Sequence, residues 1–161
     1  VPLSTLCLAC GRCCDGTLFS HVALAPGEAA ALARAGVPLA TRGEGAAPVL
    51  PQRCGALEGR CCQAYAERPA GCRRYRCQLH VALGEGEVSL PEALEAVAEV
   101  DAAVDALARL LPPEDGGRSA VQRVREALGR GETPAPEVHT AWERAEALLD
   151  RHLRGRTHRR A

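Results

Sequence analysis

Nine cysteines fall between Cys7 and Cys77 of a 161-residue chain, and none follows. No other feature limits the fold as strongly, because a segment so dense in thiols takes its shape from what the sulfurs bind. In a reducing compartment such a density points first to metal ligation or redox chemistry and second to disulfides. An odd number would also leave one thiol over in a purely disulfide framework. Bulky apolar side chains are scarce: Phe19, Tyr65, Tyr75 and Trp142 are the only aromatics, and methionine is absent. Lysine, asparagine and isoleucine are missing too. Their absence excludes a Schiff-base lysine, a Walker-A phosphate loop and an N-glycosylation site. The missing types share A/T-rich codons, so a G+C-rich, bacterial genome is the simplest explanation.

The cysteine-bearing half is also the basic half. Residues 1–80 carry nine arginines against five acids, and residues 81–161 carry eleven against fifteen, so +4 and −4 cancel. Overall neutrality argues against a dedicated nucleic-acid binder, which needs a sustained basic face. No apolar run reaches the roughly 18–20 residues of a membrane span, and the N-terminus lacks the charged and apolar regions of a secretory signal. The reading is a cytoplasmic protein with no membrane partner.

Periodicity is weak in the first half. Residues 1–17 show neither helical nor strand spacing, and 17–22 suit a short extended piece. Pro26-Gly27-Glu28 opens a helix that stops at Gly36. Residues 38–53, rich in glycine and proline, read as a loop. Short helices are expected at 63–67 and at 69–76, the latter opened by Pro69 and carrying Cys72. In the second half Ser89 caps a helix from Leu90 or Pro91 to Leu111, with Leu90, Leu94, Val97, Val104, Leu107 and Leu111 at three- and four-residue steps. Further helices follow at 119–130 and 136–154. The expected architecture is mainly α. An irregular, metal-nucleated cysteine region (1–80) with short helices is followed by about three amphipathic helices (81–154), packed on it or extending it, and a disordered basic tail (155–161).

Cys7-x-x-Cys10-x-x-Cys13-Cys14 lets three side chains converge from one loop, since two-residue spacers suit a tight metal-binding turn that Gly11 eases. Adjacent side chains diverge, so Cys13 and Cys14 are expected to serve different centres. Each centre must then borrow ligands from Cys54, Cys61, Cys62, Cys72 and Cys77. Arg12, Arg53, Arg60, Arg73, Arg74 and Arg76 lie within two residues of a cysteine, and a four-thiolate zinc or [4Fe–4S] centre carries a net charge of about −2.

Two separated blocks, Cys7-Leu-Ala-Cys10-Gly-Arg-Cys13-Cys14 and Cys62-Gln-Ala-Tyr65-Ala-Glu-Arg68-Pro69-Ala-Gly-Cys72-Arg73-Arg-Tyr75-Arg-Cys77, with Cys54 between them, resemble the CxxCxxCC family of zinc- or iron-chelating domains. Alanine stands where the family's second motif has isoleucine, and Tyr75 where it has phenylalanine. The resemblance implies metal chelation through Cys7, Cys10, Cys13, Cys14, Cys54, Cys62, Cys72 and Cys77, with an iron–sulfur cluster or zinc as cofactor. It also implies the activity of an iron–sulfur oxidoreductase. A similar cysteine region occurs in flagellin lysine methylases, but no methyl-donor site is recognisable here and that link is not carried over.

Cys61 falls outside the pattern and reads as an extra thiol. Cys61, His80, His21 and Asp15 are additional candidate ligands. Their simpler readings are an adventitious thiol, two surface histidines and the start of a turn. His139, Glu143 and Glu146 share a helical face but read as solvated charge. Arg68-Pro69 reads as a structural turn with the arginine packed by Tyr65. The acidic face of Glu92, Glu95, Glu99 and Asp105 and the basic tail are the candidate protein-partner surfaces. No hydrolase triad is credible, since none of the four serines sits in a nucleophile elbow. Two functions remain: an iron–sulfur redox protein or oxidoreductase, and a non-catalytic protein that zinc holds folded.

Overall fold

The computed structural model describes residues 1–155. The expected basic tail beyond Gly155 lies outside the described residues. Among those described there are seven α-helices and five strands of two to four residues, so the protein is mainly helical. The chain divides into two compact units. One comprises Val1–Cys10 and Arg76 onward, and the other is Gly11–Tyr75.

The first unit begins with α1, Pro2–Cys10, where the sequence had offered no periodicity. Leucine and alanine favour a helix and proline is tolerated in its first turn. Only Leu6 is buried along these nine residues, so no apolar stripe exists for a periodicity reading to find. After residue 75 come α4 (Gln78–Gly84), α5 (Leu90–Arg109), α6 (Ala120–Gly129) and α7 (Pro136–Leu149). The α7 helix runs on as a π-helical turn over Asp150–Arg154. Ser89 closes a capping box with Glu92 at the start of α5: Ser89 Oγ accepts from the Glu92 N–H, and the Glu92 carboxylate accepts from the Ser89 N–H.

The buried face of α5 is Ala93, Val97, Val100, Ala103, Val104 and Leu107. Glu92, Glu95, Glu99 and Asp105 lie on its exposed side. The α5 helix packs against α7, α6, α1 and α4, and α1 also packs against α4. Leu149 and Leu153, one turn apart across the α7–π junction, are both almost fully buried. This is an ordinary aliphatic helical core.

The second unit is built differently. Its strands β1 (His21–Ala23), β2 (Ala40–Thr41) and β3 (Pro48–Pro51) form an antiparallel sheet in the order β1-β3-β2, with Val22 opposite Leu50 and Ala40 opposite Val49. The expected 38–53 loop therefore carries two strands, too short to show alternation in the sequence. The α2 helix (Glu28–Arg34) packs on β3 and α3 (Ala70–Arg74) on β1. A hairpin, β4 (Leu57–Glu58) with β5 (Cys61–Cys62), completes the unit. The helix expected at 63–67 is a run of turns, closed by the Glu67 N–H bonding to the Ala64 carbonyl. These turns carry the chain from β5 to Pro69. The core here is small: Leu32, Val37, Leu50, Ala56, Leu57 and Ala64, with Cys54 among them.

Candidate metal centre

In the second unit four cysteines arrive from four separated positions in the chain. Cys14 follows a tight turn in which Gly11 takes φ 68° and the Cys14 N–H bonds back to the Gly11 carbonyl at 3.0 Å. The Cys54 N–H then bonds to the Cys14 carbonyl at 2.9 Å, which fixes these two residues side by side. Cys62 stands opposite Leu57 in the hairpin. Because side chains alternate along a strand, Cys62 shares the inward face with buried Leu57, while Cys61, opposite Glu58, is exposed. Cys72 sits in the middle of α3. Cys14, Cys62 and Cys72 all pack against the core cluster that contains Cys54.

The electrostatics reflect that crowding. Burial pushes the Cys14 thiol up to about 12, and the nearby thiols of Cys72, Cys54 and Cys62 add to the shift. Burial raises Cys72 to about 11, again helped by Cys54 and Cys62, while Arg68 acts in the opposite direction. Cys54 is raised by the same two causes, burial first. Among the described residues, no three His, Cys, Asp or Glu side chains already stand as a formed metal-binding group. What the four side chains share is a neighbourhood, the core around Cys54, and a donor chemistry, since thiolate sulfur is the kind of ligand that soft cations take.

In the first unit, Cys7 and Cys10 lie three residues apart on α1 and so on one face of it. The α4 helix packs against α1 and is capped at its N-terminus by Cys77, whose Sγ accepts from the His80 N–H at 3.4 Å. Burial raises the Cys77 thiol, and proximity to Cys7 contributes. Burial, and then Arg76, hold the His80 imidazole below its ordinary pKa, which favours its neutral form. The three-cysteine loop expected from spacing is thus a helical pair, Cys7 and Cys10, followed by a turn that carries Cys13.

The other candidates have visible occupations. The Asp15 carboxylate accepts from Arg12 Nη1 at 2.9 Å and from the Thr17 N–H at 2.8 Å. The His21 ring meets Ser20 Oγ and Arg42 Nη1 at the exposed start of β1. Arg68 stacks on the Tyr65 ring, its Cζ 3.4 Å from the centroid. Two contributions to the site go beyond the sequence reading. Arg68, read there only as a turn residue packed by Tyr65, precedes α3 and is the basic side chain that favours the Cys72 thiolate. Glu28 bonds to the α3 backbone from 42 residues away, and no local pattern announces it.

A family model described as "Putative zinc- or iron-chelating domain", CxxCxxCC, matches residues 6–96, more than half of the chain and all nine cysteines. The chain belongs to the CxxCxxCC family. This membership supports metal binding, by zinc or iron, and extends past the last cysteine through α4 into α5. Searches of curated proteins and of solved structures each found no match. Among the described residues, no helix is long and apolar enough to cross a membrane.

Proposed function

We propose that this CxxCxxCC protein binds its metal through eight cysteines in two groups. Cys14, Cys54, Cys62 and Cys72 form one set, and Cys7, Cys10 and Cys77 belong to the other. Cys13 is a ligand on its spacing alone. The observation that carries this reading is the packing of Cys14, Cys62 and Cys72, from separate parts of the chain, against the small core that contains Cys54. Burial raises the Cys14 and Cys72 thiols, which argues against either as a thiol nucleophile; as ligands both would depend on a cation's charge to hold them as thiolates. Ligating thiolates require reduced cysteine, consistent with a cytoplasmic setting.

The metal is iron, as an iron–sulfur cluster, and the protein is then a redox protein or oxidoreductase. A bound cluster would supply one-electron chemistry. The chain's own residues would shield it, since Cys54 is only 8% exposed, and would tune it through Arg68 beside Cys72. The same shielding favours a second reading, a closed four-thiolate zinc with no open position and a purely structural role. Anaerobic purification followed by an ultraviolet–visible spectrum and elemental analysis separates them. Brown protein with sulfide and iron carries the first reading, and colourless protein with stoichiometric zinc carries the second. Protein without either metal overturns both.

A further inference from the structure

The α3 helix has only five residues, too few to persist without outside support, and it carries Cys72 at its centre. Its N-cap is Pro69, which offers no side-chain acceptor. The first N–H groups of any helix need one. The acceptor comes from a different element: Glu28 Oε1 takes the Ala70 N–H at 2.6 Å, while Glu28 Oε2 takes the Ala25 N–H at 2.6 Å. One carboxylate therefore ties the approach to α2 to the first turn of α3. These backbone bonds, Ala70 first, hold the Glu28 carboxyl below the usual carboxylate range, and Arg73 and Arg74 reinforce its charge. On its other side α3 abuts β1 so closely that a Cβ at Gly71 would lie 2.8 Å from Val22 Cγ1. The helix is pinned at Ala70 and at Gly71, and Cys72 is the next residue.

We infer that Glu28 is a positioning residue for the metal: through its bond to Ala70 it sets where the Cys72 sulfur stands relative to Cys14, Cys54 and Cys62. This inference rests on the proposed ligand set, and its test separates the two. Cobalt(II) is the probe, loaded anaerobically into the full chain. Its thiolate charge-transfer and ligand-field bands report geometry, and its release to a chromogenic chelator reports how firmly it is held.

Glu28→Ala should release one fraction of the cobalt about tenfold faster, the low end of what loss of a residue supporting a metal ligand costs, and should shift the ligand-field bands. Glu28→Gln keeps one acceptor oxygen but turns an amide N–H₂ toward the other donor, so an intermediate rate is expected. It also decides the matter if Glu28→Ala does not fold. Glu92→Ala removes a comparable capping carboxylate from α5 and serves as the control that moves stability but not the bands. If Cys72→Ser keeps full cobalt and unaltered bands, the ligand assignment fails, and the inference with it. If Cys72→Ser loses the bands while Glu28→Gln matches wild type in rate and spectrum, the positioning role is overturned. Loss of stability in the Glu28 variants with unchanged bands, as in Glu92→Ala, overturns it equally.

Discussion

Two adjacent cysteines receive opposite environments from one structural rule. In β5 the pleat turns Cys62 toward Leu57 and the core and leaves Cys61 in solvent. Cys61→Ser should therefore leave metal content and melting temperature unchanged. Cys54→Ser, at an 8%-exposed site, should lose about half of the bound metal and unfold more readily, as elemental analysis and thermal unfolding would register. The stacking of Arg68 on Tyr65 was legible in advance, because it is short-range. Glu28 was not, since its partner Ala70 is brought to it only by the folded sheet.

Among the elements, those with a strong local signature matched their expectation closely. Ser89 and Glu92, three residues apart, write a capping box, and α5 begins at Leu90 as that pattern requires. Ser89→Ala should lower stability by about 1 kcal/mol in urea unfolding and leave metal content untouched. The elements that escaped sequence reading lack such signatures. The α1 helix has one buried residue and no stripe, and β2 to β5 span two to four residues each, below the length at which alternation can be recognised. The α4 helix is seven residues long and capped by a cysteine, a residue not counted among the ordinary capping types.

Across the whole molecule, the two units bury different kinds of side chain. The helical unit buries Val100, Leu107, Val121, Leu149 and Leu153 almost completely, whereas the Gly11–Tyr75 unit packs a handful of aliphatic residues around thiols. Metal removal should therefore act unevenly. Anaerobic chelation is expected to abolish hydrogen-exchange protection over 11–75 while retaining most of the far-ultraviolet circular dichroism, because most of the helix lies outside that unit. Uniform loss of protection along the chain would contradict this.

The α1 helix precedes the Gly11–Tyr75 stretch in the chain, yet its packing partners, α4 and α5, are encoded after that entire stretch. During synthesis it must wait. Cys14, Cys54, Cys62 and Cys72 have all emerged by the time Tyr75 is made, so that set can gather while the helical unit is still incomplete. Cys7 and Cys10 stay without Cys77 until α4 begins. On the proposed grouping, the order of translation makes the inner set complete before the flanking one.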